Sequence, residues 1–297
     1  MTIESATSSP PADRAASLTM RGVSRVFAGG VRAVDPMDLS ISAGDFVAIL
    51  GPSGCGKSTL LRMASGLDHP TGGSLLMDGR PAGHWGARRP EDVAFVFQDA
   101  HLLPWRRVLA NVALPLELTG VSRSNRHRIA RGALEMVGLG DAIGRYPAQL
   151  SGGMRMRVSL ARAMVTKPKL LLLDEPFAAL DEITRQELDD QLRELWVERG
   201  MTVLFVTHSI AEATYLAERA IVLSPRPAKV VCDRRIGLPR SRTGELRTSV
   251  AFAGEARELY HAMHGGSDES HDASQSQSDP PSPSQSQPTS SEGGPLS

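Results

Sequence analysis

The sequence predicts an α/β fold, a parallel β-sheet with helices on both faces. Three observations carry this. Five short apolar runs (Phe46–Leu50, Val93–Phe97, Leu170–Leu173, Val203–Val206 and Ala220–Leu223) alternate with longer helical patterns. Unbroken apolar runs of this length, bounded by Gly, Pro or charge, suit strands covered on both sides. The first run leads directly into a glycine-rich loop and then a helical pattern at Leu60–Ala64. The chain has 297 residues, 41% of them apolar, enough for one large domain or two small ones with a core.

Charge and composition narrow the function. Lys and Arg number 33, as do Asp and Glu, but residues 266–297 hold five acids (Asp268, Glu269, Asp272, Asp279, Glu292) and no Lys or Arg. The preceding residues therefore carry 33 basic against 28 acidic side chains, +5. A neutral chain lacks the excess cations that coat duplex DNA, whereas a mild local excess suits a small polyanion. Cys55 and Cys232 form neither a disulfide framework nor a C-x-x-C metal pair, which fits a reducing cytosol. Met1–Ser17 lacks the basic flank and apolar run of a secretory signal. No apolar stretch approaches the ~20 residues that cross a bilayer, so a membrane role would act through a partner. Residues 1–17, rich in Ser, Ala and Pro, and residues 266–297, made of Ser, Gln, Pro and acid, read as disordered. The folded body then spans 18–265, ending in a short accessory helix over 241–265 with Phe252, Leu259 and Tyr260.

The loop Gly51-Pro52-Ser53-Gly54-Cys55-Gly56-Lys57-Ser58-Thr59 fits G-x-x-x-x-G-K-[ST]. Glycines let successive N–H groups turn inward onto phosphate oxygens, and the following helix offers its positive N-terminus to the same anion. Lys57 supplies a cation for the β- and γ-phosphates of ATP, and the Ser58 hydroxyl a ligand for Mg²⁺. Cys55 reads as a small space-filling residue rather than a redox thiol.

The run Leu170–Leu173 ends in Asp174-Glu175-Pro176. Alone, such a pair reads as a solvated turn. Beside a phosphate loop, Asp174 can hold Mg²⁺ through water and Glu175 can activate the water that attacks the γ-phosphate. Ser151-Gly152-Gly153 opens a helical pattern with an apolar stripe at Met154, Val158, Ala161 and Val165. By itself Ser151 reads as an N-cap; with the upstream loop, the triplet reads as a second phosphate site. Arg155, Arg157 and Arg162 read as a solvated helix face. One nucleotide does not need two such loops from one chain, so the second would come from another copy, head to tail about a two-fold axis.

With these motifs in order, residues 18–240 resemble the nucleotide-binding subunits of ATP-binding cassette (ABC) transporters. The resemblance implies a P-loop NTPase fold of the ABC type, with a helical subdomain carrying the signature loop 150–153. It also implies that Gln98 senses Mg²⁺ and the permease, that Ala179-Leu180-Asp181 is the loop between subunits, that His208 contacts the γ-phosphate, and that Phe27 stacks on adenine. The segment Gln98-Asp99-Ala100-His101-Leu102-Leu103-Pro104-Trp105 looks like the Leu-Leu-Pro-Trp segment of the nitrate, sulfonate and taurine import group, where this surface meets the permease. Trp105 would then be an apolar anchor, the alternative being a core residue. The sequence departs from the family's usual residues at Met154, Met156, Ala178 and Phe27.

The implied protein is an ATPase peripheral to the cytoplasmic face of the inner membrane. It would dimerise around two Mg-ATP, energise transmembrane permease subunits served by an extracytoplasmic solute-binding protein, and bind no nucleic acid. The alternative is a soluble ABC-type ATPase acting on ribosomes or nucleic acid. Against it, about 100 residues separate Gly51 from Ser151 with no heptad run or cysteine pair. A small-molecule kinase would share the phosphate loop but gives no reason for Ser151–Gly153 or His208.

Overall fold

Side chains alternate across a strand, so each apolar run feeds two cores, one on either face of the sheet. The structure, a computed structural model, describes residues 14–81 and 92–265. In chain order its elements are β1 (Leu18–Val26), β2 (Arg32–Ile41), β3 (Phe46–Leu50), α1 (Lys57–Ser65), β4 (Gly72–Met77), β5 (Arg80–Pro81), β6 (Val93–Val96), α2 (Val108–Leu118), α3 (Arg123–Met136), α4 (Gly152–Met164), β7 (Leu170–Asp174), α5 (Glu182–Arg199), β8 (Thr202–Val206), α6 (Ile210–Leu216), β9 (Arg219–Leu223), β10 (Val230–Arg235) and α7 (Val250–Gly265).

All five apolar runs are strands of one six-stranded sheet, ordered β10-β9-β3-β8-β7-β6. β9, β3, β8, β7 and β6 run parallel, and β10 pairs antiparallel with β9. On one face Val47, Ile49, Leu170, Leu172, Leu204, Val206 and Ile221 pack against α1 and a second sheet. On the other, Phe46, Ala48, Leu171, Leu173, Val203 and Phe205 pack against α4, α5, α6 and α7. A third core joins α2, α3 and one side of α4, with Val112, Leu134 and Val158 fully buried. This is the expected helical subdomain.

The second sheet, β2-β1-β4-β5, is antiparallel, and the apolar runs gave no sign of it. Its strands are covered on one face, so β2 alternates buried Met37, Leu39 and Ile41 with exposed neighbours and contains no continuous run. Residues 14–17 also differ from expectation. Ala15 and Ala16 are buried, Thr202 Oγ1 donates to Ala16 O at 2.6 Å, and Ser17 N donates to Asp78 Oδ1 at 2.8 Å, so the body begins upstream of residue 18. The rest of the N-terminal segment, and the acidic tail 266–297, lie outside the described residues. α7 packs on α6 and β9 through Phe252 and Leu259, with Tyr260 half-exposed. Among the described residues no helix is long and apolar enough to cross a membrane.

Candidate active site

The site gathers at the C-terminal ends of the parallel strands, where loops leave a sheet buried on both faces. The chain turns from β3 into α1 through Gly51–Gly56. Gly56 has φ +123°, and a Cβ there would lie 2.7 Å from Ala33 O, so no other residue fits without moving backbone. Ser53, Gly54 and Ser58 are exposed on the loop, whereas Cys55 is buried and packs into the core. Lys57, only 3% exposed, folds its ammonium back under the loop. Its Nζ lies 2.9 Å from Gly51 O, 3.0 Å from Pro52 O and 3.5 Å from Glu175 Oε1.

β7 delivers the carboxylates. Ser58 Oγ donates to Asp174 Oδ1 at 2.9 Å. Burial pushes the Asp174 pKa up; the Ser58 hydrogen bond opposes that and the Glu175 charge adds to it. Glu175 takes a left-handed conformation, φ +45°, which a residue with a side chain holds only when its surroundings impose it. Its N–H donates to Val206 O at 2.9 Å, and its Oε2 lies 2.9 Å from His208 Nδ1. The His208 imidazole is 53% exposed.

Lys57, Ser58, Asp174, Glu175 and His208 are thus joined by direct contacts. Gln98 is exposed two residues beyond β6, which pairs in register with β7 up to Val96 and Leu173, at the same end of the sheet. Phe27 follows β1 on the antiparallel sheet and is 38% exposed, with the Arg25 guanidinium 4.9 Å from its ring centroid. Ser151 and Gly152 are exposed at the start of α4. Ser151 Oγ accepts from Met154 N at 3.2 Å as an N-cap, and none of Ser151's hydrogen bonds reaches the phosphate loop. A Cβ on Gly153 would lie 2.5 Å from Thr184 Cγ2 on α5.

Ser58 and Asp174 present a two-oxygen edge. Among the described residues no group of three or more His, Cys, Asp or Glu could hold a metal ion. This donor set fits Mg²⁺, which binds through one or two protein oxygens and completes its shell with phosphate and water.

Of the arginines of α4, Arg155 is exposed as expected, but Arg157 and Arg162 are not on a solvated face. Arg162 donates to His101 O and Ala100 O, both at 2.8 Å, and burial holds its guanidinium pKa down. Arg157 pairs with Glu187 at 2.6 Å, and Arg155 Nη1 donates to Leu150 O at 2.7 Å. The stripe at Val158, Ala161 and Val165 faces the helical core, with Met154 packed beside it, while Met156, Leu160, Ala163 and Met164 enter the sheet core. A helix packed on two sides leaves only a narrow open face, which Arg155 occupies. Met156 is consequently a core residue.

Trp105 is 72% exposed. Its loop is held from inside by Asn111, fully buried, whose Oδ1 accepts from Leu103 N at 2.8 Å and whose Nδ2 donates to Leu103 O and Arg106 O at 3.1 and 2.9 Å. Sequence reasoning missed Asn111, and also Thr207 and Glu212, which flank His208. For Asn111 and Glu212, a polar residue inside a helical pattern whose neighbours read as core is a signal that could have found them; Thr207, between β8 and α6, gives none.

A family model described as ABC transporter matches residues 34–178. The aliphatic sulfonates import ATP-binding protein SsuB of Mycobacterium sp. (strain MCS) is 48% identical over 254 residues, 83% of this chain and 98% of that protein. The chain belongs to the ABC transporter ATP-binding family. Among solved structures, the dimeric structure of MJ0796, a bacterial ABC transporter cassette, superposes with a TM-score of 0.68 at 33% identity, covering 75% of this chain and all of that one. A post-hydrolysis dimer of the same cassette bound to ADP and Pi gives 0.66 at 32% identity, with the same coverage. The six-stranded sheet, antiparallel sheet and three-helix cluster are thus those of an ABC cassette.

Proposed function

We propose that this ABC subunit hydrolyses ATP at the Lys57–Glu175–His208 cluster and drives an importer for a small anionic or zwitterionic solute such as nitrate, a sulfonate or taurine. The observation that carries the reading is the convergence of a phosphate loop, a Ser58–Asp174 edge and a Glu175–His208 pair at one end of the sheet. Lys57 and the loop N–H groups bind the β- and γ-phosphates, with Phe27 on adenine. Glu175 accepts a hydrogen bond from the attacking water and draws off its proton as the bond to phosphorus forms. His208 is bonded through Nδ1 to Glu175, leaving Nε2 to meet a γ-phosphate oxygen. Mg²⁺ bound at Ser58 and Asp174, with Gln98 beside them, would neutralise charge on the β- and γ-phosphates.

Ser151, Gly152 and Gly153 serve the nucleotide of a second copy. Ser151 and Gly152 are exposed, Gly153 is buried against α5, and Ser151 has no bond to its own phosphate loop; the relative MJ0796 is described as dimeric. ATP binds the shared interface better than either open half, so it shifts the population toward closure, and hydrolysis reverses the shift. We read the ATPase domain as running from the buried Ala15–Ala16 segment to residue 240, and 241–265 as its accessory segment. The permease surface is the Trp105 loop together with a cavity of about 330 Å³ lined in part by Phe95, Phe97, Leu114 and Leu118. The import role and a sulfonate as solute rest on the likeness to SsuB; nitrate and taurine rest on the Leu102–Trp105 segment. The same likeness implies a peripheral position on the cytoplasmic face of the membrane and an extracytoplasmic solute-binding protein.

Replacing Glu175 by Gln tests the reading. ATP turnover should fall about a hundredfold or more, and an ATP-bound dimer should accumulate on size-exclusion chromatography. Undiminished turnover by a strictly monomeric Glu175→Gln protein overturns it.

A further inference from the structure

His208 sits inside a closed ring of hydrogen bonds. Ser209 N donates to Thr207 Oγ1 at 2.9 Å, Thr207 Oγ1 donates to Glu212 Oε2, and Glu212 N donates to Ser209 Oγ at 3.2 Å. The ring fixes the backbone on both sides of the imidazole. Thr207 and Glu212 are 1% and 5% exposed, so water does not compete for these bonds and their geometry is held by packing. A carboxylate buried this deeply requires a compensating partner.

That partner comes from the first turn of α5. Arg185 Nε lies 3.8 Å from Glu212 Oε1 and has no hydrogen-bond partner of its own. The rest of the guanidinium is engaged at its other end. Arg185 Nη2 donates to Leu180 O at 2.7 Å, and Nη1 to Glu182 Oε2 at 3.0 Å. One side chain therefore touches both the carbonyl of the Ala179–Asp181 turn and the carboxylate that orients Thr207. In the same turn Asp181 Oδ1 accepts from Thr184 N at 3.0 Å, which fixes the turn to α5 independently of Arg185.

We propose that Arg185 and Glu212 are positioning residues that couple the Ala179–Asp181 turn to His208, so that a displacement of the turn is felt at the imidazole beside Glu175. Neither touches nucleotide; both act through His208. The proposal rests on His208 acting in hydrolysis, as read above. A shift of Leu180 pulls on Arg185 and changes how squarely it faces Glu212. Through Thr207 Oγ1 it alters the tilt of His208 against Glu175 Oε2.

The test measures kcat, the KM for ATP and thermal stability in the full-length chain. Glu212→Ala is expected to lower kcat about tenfold with KM changed less than about twofold, because the defect lies in the placement of a group used in the chemical step. Glu212→Gln, which still accepts from Thr207, should recover most of that loss. Arg185→Met should lower kcat about threefold, again without moving KM.

The decisive readout is the His208→Ala background. There Glu212→Ala and Arg185→Met should add less than about twofold, since residues that act through one group are not additive. Full additivity with His208→Ala, or a matching loss by Glu212→Gln and Glu212→Ala, overturns the relay. No effect of Arg185→Met overturns its link to the turn. If His208→Ala itself leaves kcat unchanged, the reading of His208 fails and the relay fails with it, an outcome distinct from additivity. Should Glu212→Ala not fold, Thr207→Val removes the same hydrogen bond from the other side, and the same expectations apply.

Discussion

Asp189 on α5 shows what burial does to a single charge near the site. It is 3% exposed, its Oδ1 has no hydrogen-bond partner, and Arg247 approaches Oδ2 at 3.5 Å. Burial, aided by the charge of Glu212, raises its pKa well above 3.8 despite Arg247. Glu212 is raised above 4.5 for the same leading reason. The folded protein therefore holds these protons to higher pH than the unfolded chain does. Stability contributed by the protonated forms is complete below the unfolded values and declines as pH rises toward the raised ones. Asp189→Asn removes one of the two titrations. Its melting temperature should fall less steeply than that of the unsubstituted chain between about pH 4 and pH 7, and should be the higher of the two at neutral pH. A steeper fall in the variant, followed by calorimetry across that range, contradicts the assignment.

Elements differ in how plainly the sequence announces them. Leu134 of α3 is fully buried between α2 and α4. Leu134→Ala should lower the unfolding free energy by about 2–5 kcal/mol in urea titrations, the cost of lost burial and the cavity left behind. Elements whose signal is contiguous were legible: β3 with its glycine loop, β7 with its terminal acids, and the Ser151 cap of α4. β1, β2 and β4 were not, because a strand wet on one face offers alternation broken by bulges rather than a run. α4 was half read. The stripe found from its periodicity is real, but the opposite side is buried too, and only tertiary packing reveals that. The same limit applies to the site. Lys57, Ser58, Asp174 and Glu175 lie in motifs that local chemistry singles out and His208 is implied by the family resemblance alone, whereas Thr207, Glu212 and Arg185 acquire meaning only once β8, α6 and α5 are brought together.

If each nucleotide is held by Lys57 of one copy and Ser151 of the other, a Lys57→Ala chain and a Ser151→Arg chain are both inactive as homodimers. A mixed dimer places both defects in one site and leaves the other intact. Equal mixing should therefore restore about a quarter of full ATP turnover, half the dimers having one working site of two. No recovery after mixing, with exchange of subunits verified by labelling, would exclude sharing. Such a pair would transmit force through α4. α4 begins at Ser151–Gly153, is seated in two cores at once, and is tied by Arg162 to the carbonyls of Ala100 and His101 just beyond Gln98. It works as an axle pinned at both bearings. A displacement of its glycine end would therefore be passed through Arg162 to the segment that carries Trp105.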